Sequence, residues 1–151
     1  MKTWEESLVK LEDENEIRAL SNKFADAANR IDVELFKSLW MANGEWTIGP
    51  PINQHFVGID QISTAFSGLL ASWEFFVQLP AGGNIQINGD TATTHFYVNE
   101  IARSKTGVSN YNLAQYEDQL LKENGVWRFV RRNYKVIYLD ETPLLGTSFK
   151  L

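Results

Sequence analysis

The chain has 151 residues, of which 44% are hydrophobic and 22% are charged, and it contains no cysteine. This length and composition predict a single domain over residues 1–151 with a sizeable core, and the lack of cysteine excludes disulfides and thiolate metal sites. The net charge of -5 argues against a nucleic-acid partner, because phosphate contacts require clustered cations. No apolar run approaches the roughly 18 residues that span a bilayer, so we expect a cytoplasmic protein without a membrane partner.

Helical periodicity dominates the first part of the chain. Apolar residues recur at three- and four-residue spacing over 17–31, which predicts a helix of roughly five turns. A shorter pattern over 33–40 predicts a second helix, with Asp32 as its N-cap and Asn43-Gly44 at its end. A third pattern over 62–73 predicts another helix, with Asp60 where a cap would lie.

The remaining segments have the features of strands. Strands are predicted at 45–49, 54–57, 75–87 and 91–101, and in two long arms within 109–139. The 75–87 segment is interrupted by Pro80-Ala81-Gly82-Gly83, which indicates a bulge or bend inside one strand. The two long arms face each other across Asn124-Gly125, a pair that favours a type I′ hairpin turn because both of its residues accept positive φ.

Helices followed by hairpin-linked strands predict an α+β fold. Arms of this length favour a curved sheet, so we expect an antiparallel half barrel shaped like a cone, wrapped around three helices. The wide end of such a cone encloses a hydrophobic pocket. The hairpin arms carry apolar residues on both faces, so apolar surface remains on the side away from the helices, and we expect a homodimer or homotrimer.

Several segments resemble, in their order and spacing, the SnoaL-like branch of the nuclear transport factor 2-like superfamily. They are SLWMANGEWTI, Gly58 before the third helix, the NGDTAT turn, QYEDQLLKENGVWRF and RRNYKVIYLDETPLLG. The resemblance covers nearly the whole chain. It implies a cone of bent sheet with three helices around a pocket for a small apolar or aromatic molecule, no cofactor, and assembly into dimers or trimers.

The resemblance also implies a catalytic mechanism, but this chain has different residues at the two positions that carry it. Scytalone dehydratase, polyketide cyclases and dehydrochlorinases of this superfamily use a His polarised by an Asp to move a proton. In this chain Asn29 stands at the Asp position and Gln78 lies nearest the His position. Two functions stay open: a cofactor-free lyase or isomerase with a rearranged acid/base set, or a ligand-binding or scaffold protein without catalysis. An ionisable group on the pocket floor would favour the first.

Four residues are candidates for the rearranged acid/base set. Asp32 is the carboxylate nearest the altered dyad, or else only a helix cap. His95 lies mid-strand, either as an imidazole base in the pocket or on the outer, oligomer-facing side. By the resemblance, Arg132 matches a pocket arginine of the dehydrochlorinases, and its neighbour Arg131 faces the opposite side of the strand. Tyr116 completes the set.

A second group of residues is predicted to line the pocket. Its members are Phe24, Ala25, Ala28, Asn29, Trp40, Trp46, Trp73, Phe76 and Gln78. The aromatic members are equally suited to an ordinary core, and Asn29 alternatively makes a hydrogen bond at a helix end. Neither His55 nor His95 has further ligands at metal spacing, so no metal site is predicted.

Overall fold

The structure is a computed structural model that describes residues 1–151 as three helices and six strands. The helices are α1 (Trp4–Arg30), α2 (Val33–Ser38) and α3 (Ile59–Ala71). The strands are β1 (Trp40–Ile48), β2 (Gln54–Val57), β3 (Trp73–Asn88), β4 (Thr91–Ser104), β5 (Ser109–Glu123) and β6 (Val126–Asp140). They form one curved, open sheet in the order β2-β1-β6-β5-β4-β3, which confirms the α+β prediction.

One pair of strands departs from the antiparallel pattern. β1 and β6 are parallel, whereas every other neighbouring pair is antiparallel. The chain reaches β1 from the helices and not through a hairpin, so no tight turn fixes its direction. The hairpin between β5 and β6 is confirmed: Asn124 has φ 51° and Gly125 has φ 76°, as a type I′ turn requires.

The first helix is much longer than its apolar stripe predicts. It begins at Trp4, where Thr3 and Glu6 form a capping box, and it continues for 27 residues. Residues 4–12 are exposed on all sides, so this part of the helix lies outside the core although Trp4, Leu8 and Leu11 recur at helical spacing. The predicted cap of α2 is confirmed, since the Asp32 side chain accepts the Leu35 N–H at 3.0 Å.

Two other helix boundaries correct the prediction. α2 ends at Ser38, and Trp40 already belongs to a strand in which it is paired with Phe129 of β6. Strand pairing therefore overrides the helical spacing that continues to Trp40. The N-cap of α3 is Gly58, with φ 87°. Asp60 lies in the first turn instead, where its charge interacts favourably with the helix dipole.

The predicted interruption in β3 is a bulge within a continuous strand. The pairing of β3 with β4 shifts between Pro80 and Gly82, and Gly82 has φ 81°. At Gly83 a Cβ atom would overlap the backbone carbonyl of His95 on β4, so this position requires glycine. The bulge bends the strand without ending it, which contributes to the curvature of the sheet.

The core lies between the concave face of the sheet and the three helices. Phe24 of α1 is at its centre, and its ring packs edge-on or tilted against five other aromatic rings at centroid distances of 5.1 to 6.3 Å. Phe36 of α2 stacks on Phe66 of α3 at 3.7 Å, which joins the two shorter helices. No helix combines the length and the apolar character needed to cross a membrane.

Candidate functional site

A cavity of about 350 Å³ lies on the concave side of the sheet. Its apolar wall is formed by Phe24, Ala28, Trp46, Ile48, Phe66, Leu69, Leu70, Trp73, Phe76, Ala102 and Val136. Five residues that are exposed or half-buried mark its mouth: Pro51, Ile52, Asn110, Leu139 and Glu141. This volume and this lining suit a small, mostly apolar ligand.

The floor of the cavity carries a row of polar side chains. Gln78 of β3 is paired with Glu100 of β4, and Glu100 with Asn112 of β5. Residues paired across neighbouring strands point to the same face, so all three side chains lie together on the concave side. All three are buried and line the cavity.

Glu100 is the centre of this row. Its Oε1 accepts from Gln78 Nε2 at 2.9 Å. Its Oε2 accepts from Tyr134 Oη at 2.7 Å and from Asn112 Nδ2 at 3.0 Å. Burial raises the pKa of Glu100 above its ordinary range, and the hydrogen bonds from these three donors only partly oppose that shift. A carboxyl group with a raised pKa in an apolar cavity is suited to accept and return a proton.

Two tyrosines lie beside the carboxylate. Tyr134 donates its hydroxyl to Glu100, whereas the Tyr116 hydroxyl accepts from Gln78 Nε2 at 2.8 Å and makes no other hydrogen bond. The proton of the Tyr116 hydroxyl therefore remains available to a ligand. Burial raises the pKa of both phenols, so both stay protonated at neutral pH. Glu100 and Tyr116 bind the same amide nitrogen of Gln78, which places a proton acceptor and a hydrogen-bond donor close together.

The two floor amides each have one unpaired oxygen. Gln78 uses its NH₂ group to bind Glu100 and Tyr116, and Asn112 uses its NH₂ group to bind Glu100 and Tyr134. The carboxylate accepts hydrogen bonds, so it fixes both amides with nitrogen toward it. As a result Gln78 Oε1 and Asn112 Oδ1 are buried acceptors without a donor. Such atoms are uncommon in folded proteins, and neither oxygen has accessible surface toward the cavity, so a ligand would reach them only after the side chains rotate.

Asn29 supports the floor from behind and does not line the cavity. Its Nδ2 donates to the Gln78 carbonyl at 2.9 Å, and its Oδ1 accepts the Gln78 N–H at 2.7 Å. The Asn29 side chain thus pairs with the β3 backbone as a neighbouring strand would, and it joins the end of α1 to this strand. The hydrogen bond is long-range, unlike the local helix-end bond considered for Asn29.

Arg132 is fully buried but is separated from the cavity by an aromatic layer. Its Nε lies 3.0 Å from Asp118 Oδ1, and its NH2 nitrogen donates to Ser21 at 3.2 Å. The guanidinium stacks on the rings of Tyr116 and Phe24 at 3.6 and 4.2 Å from their centroids, and both rings line the cavity. Asp118 and these rings occupy the guanidinium, so it does not reach the space where a ligand would lie.

Two further candidates of the acid/base set also lie away from the cavity. Asp32 caps α2 at a partly exposed position. His95 lies on the convex face of the sheet, 3.7 Å from Glu117, because residues of β4 alternate between faces and Glu100 occupies the concave one. No cluster of three or more His, Asp or Glu side chains has the spacing to hold a metal ion.

The structure therefore brings together part of the residue set predicted from sequence. Those that line the cavity are Phe24, Ala28, Trp46, Trp73, Phe76, Gln78 and Tyr116. Trp40 is buried in the core, where its ring packs against Phe129 at 5.3 Å, and Ala25 is buried outside the lining. Ala25 lies on a face of α1, and Trp40 at a position of β1, that does not border the cavity.

Sequence analysis missed three residues of the floor: Glu100, Asn112 and Tyr134. A signal for Glu100 was present in the alternation of β4, where Phe96, Val98 and Ala102 occupy buried positions two residues apart and Glu100 shares that spacing. A carboxylate on an apolar strand face is unusual, since buried charges are rare. Asn112 and Tyr134 carry no comparable signal, because their place beside Glu100 depends on strand register.

Comparison with known structures supports the fold. Hexachlorocyclohexane dehydrochlorinase LinA-type3 from Novosphingobium barchaimii LL02 is 20% identical, with a TM-score of 0.82, covering 95% of this chain and 97% of that chain. A putative scytalone dehydratase from Novosphingobium aromaticivorans DSM 12444 is 16% identical, with a TM-score of 0.81, covering 95% and 99%. At these identities the likeness concerns the fold alone.

Sequence comparison identifies the family. No curated protein sequence matches this chain significantly. The family model described as a SnoaL-like domain matches residues 9–133, which include α2, α3, most of α1 and every strand except the end of β6. Gln78, Glu100 and Asn112 of the polar floor lie within this match, and Tyr134 lies one residue beyond it. The chain therefore belongs to the SnoaL-like domain family.

Proposed function

We propose that this protein is a cofactor-free lyase or isomerase that moves a proton within a small, mostly apolar substrate. The observation that carries this proposal is the Glu100 carboxylate on the cavity floor. The dyad positions hold the amides of Asn29 and Gln78, which cannot exchange a proton in the useful pH range. Glu100 supplies the ionisable group that this dyad lacks, one strand away from Gln78.

In the proposed reaction Glu100 accepts a proton from the substrate and returns it to a second position or to a leaving group. The Tyr116 hydroxyl donates a hydrogen bond to the heteroatom on which charge develops. Gln78 holds the two groups at a fixed spacing through its NH₂ group, and the aromatic wall excludes water. Arg132 acts as a positioning residue, because its guanidinium packs against the far face of the Tyr116 ring.

Deuterium exchange on a panel of compounds tests this proposal, and the natural substrate need not be identified first. Small apolar compounds with an acidic C–H beside a hydroxyl, halogen or carbonyl group are incubated in D₂O, and exchange or elimination is followed by ¹H NMR. We expect the wild-type protein to act on a subset of them, and Glu100→Gln to be slower by about 10² to 10⁴-fold. Glu117→Gln is the matched control, since Glu117 is an exposed carboxylate on the convex face.

A second candidate function is ligand binding without catalysis. The observation that favours it is the number of hydrogen bonds to Glu100, because three donors already occupy the carboxylate. In that case the wild-type protein and the Glu100→Gln variant would bind the same compounds, and neither protein would turn them over. Equal and negligible exchange by the two proteins would contradict the enzymatic proposal and support this one.

We also propose that two or three copies of the chain associate through the convex face of the sheet. Leu79, Leu113 and Tyr138 are exposed there in one row, because Leu79 and Leu113 are both paired with Asn99, and Leu113 with Tyr138. Exposed apolar side chains in a row on a sheet face are a typical contact surface between copies, although Asn99 lies between Leu79 and Leu113 in this row. Light scattering at tens of micromolar tests this: we expect a dimer or trimer, and a strictly monomeric protein would contradict it. Leu113→Glu should shift the protein toward monomer.

A further inference from the structure

All charged side chains that line the cavity are negative. Glu100 lies on the floor and Glu141 at the mouth, and the lining contains no Lys, Arg or His. The buried Arg132 lies behind the Tyr116 ring, and Asp118 pairs with its charge. This arrangement gives the cavity a negative potential, which disfavours ligands with a carboxylate or phosphate group.

Glu100 has no counter-ion within the protein. Its partners are two amides and a phenol, all of them neutral. A buried carboxylate ordinarily has a cationic partner, because removing it from water costs several kcal/mol. Glu100 borders the cavity, so an occupant of the cavity is in position to supply the positive charge.

The unpaired atoms beside Glu100 require donors. Gln78 Oε1 and Asn112 Oδ1 are buried acceptors, and the two residues are only 4% and 5% exposed. An ammonium group has three N–H donors and no acceptor, so it suits the Glu100 carboxylate and, where the side chains rotate to expose them, the two amide oxygens. Trp46 Nε1 is an unpaired donor in the same lining, but it is neutral and leaves the charge of Glu100 unopposed.

The aromatic wall is compatible with a cation as well as with an apolar body. Phe24, Trp46, Trp73 and Phe76 line the cavity, and the faces of such rings attract cations. A neutral hydroxyl group would satisfy an amide oxygen but would leave the carboxylate without a counter-ion. The negative lining and the carboxylate without a counter-ion both favour a cationic donor.

We propose that the cavity selects a protonated primary amine on a small aromatic or aliphatic body, with its ammonium group against Glu100. This inference rests on the proposed function in one respect: the substrate of proton transfer at Glu100 would belong to this class of amines. The binding preference itself is measurable without any turnover.

Three probes of equal size but different charge test this inference: 2-phenylethylamine, 2-phenylethanol and phenylacetate. Calorimetry with the wild-type protein at neutral pH should give an affinity for the amine that is at least about tenfold above that for the alcohol, since a hydrogen bond to a charged group contributes about 1.5 to 3 kcal/mol. Phenylacetate should show no measurable binding. Glu100→Gln should lose the preference for the amine and keep the affinity for the alcohol, whereas Glu117→Gln should behave as wild type.

Equal or tighter binding of the alcohol, or binding of phenylacetate, by the wild-type protein would overturn the inference. The wild-type comparison needs no variant, so it stands even if Glu100→Gln does not fold. Binding of the amine that depends on Glu100, combined with no deuterium exchange, would overturn the proposed function alone. Exchange on neutral substrates that Glu100→Gln abolishes, combined with no amine binding, would overturn this inference alone.

Discussion

Gln78 and Glu100 are directly paired on neighbouring strands, and the amide of the first donates to the carboxylate of the second at 2.9 Å. Gln78 thus binds a carboxylate on the next strand. An amide at this position orients an ionisable group but does not itself titrate. The carboxylate of the cavity floor therefore lies on β4.

The stability of the fold should depend on the protonation of Glu100. Burial raises the folded-state pKa of Glu100, so the protonated group favours folding at low pH, and this contribution is lost as pH rises through the raised pKa. At pH 7 we therefore expect Glu100→Gln to be more stable than wild type, by about 1.4 kcal/mol for each unit by which the pKa is raised. In this variant the Asn112 side chain can rotate so that its unpaired Oδ1 accepts a hydrogen bond from the amide that replaces the carboxylate.

Urea denaturation of both proteins at pH 4 and pH 7 measures this effect. The difference in free energy of unfolding should shrink toward pH 4, where the carboxyl is largely protonated in the unfolded state as well. Glu117→Gln is a control with the opposite sign, because a hydrogen bond from Lys135 lowers the pKa of Glu117. Losing this hydrogen bond should destabilise the variant by less than about 1 kcal/mol, since the site is exposed. A Glu100→Gln protein less stable than wild type at pH 7 would contradict the prediction.

The activity should follow the ionisation of one carboxylate. The titratable groups that line the cavity are Glu100, Glu141, Tyr116 and Tyr134, and burial raises the pKa of both tyrosines, so they stay protonated at neutral pH. The rate should therefore rise with pH through the raised pKa of Glu100 and then reach a plateau. His95→Gln should have the same profile, because His95 lies on the convex face. A break in the profile that disappears in His95→Gln would assign the proton acceptor to the imidazole.

The Asn29 side chain should stabilise the fold through the β3 backbone. Asn29→Ala leaves the Gln78 N–H and carbonyl without partners, which we expect to cost about 1 to 3 kcal/mol. Hydrogen exchange at the Gln78 amide should become faster in this variant. Asn29→Asp keeps the acceptor for the N–H but sets a carboxylate oxygen against the Gln78 carbonyl, so a loss of stability at least as large is expected. Unchanged exchange at Gln78 in Asn29→Ala would rule out this role.

The ion pair of Arg132 and Asp118 should be among the most sensitive positions of the core. Both side chains are fully buried, so Asp118→Asn leaves an unpaired guanidinium and should cost about 3 to 5 kcal/mol. Thermal and urea denaturation measure this loss. The exposed pair of Lys135 and Glu117, at 2.6 Å on the convex face, is the matched comparison and should contribute about 1 kcal/mol or less. Similar losses at the two pairs would show that burial of the first is unimportant.

The sequence by itself determined the α+β class, the hairpin at Asn124-Gly125, the bulge in β3 and the cap at Asp32. Each of these depends on local chemistry: positive φ at Asn-Gly, the missing N–H of proline, or a side chain that accepts a nearby N–H. The resemblance also indicated that the two dyad positions carry amides.

Tertiary structure alone decided which polar groups meet. Glu100, Asn112 and Tyr134 come together because three strands align in one register, and a shift of one residue would move each side chain to the other face. Arg132 has the length to reach the cavity, but it is held by Asp118 on β5 and by the ring of Tyr116. Contacts of this kind join residues far apart in the chain, so spacing within the sequence carries no record of them.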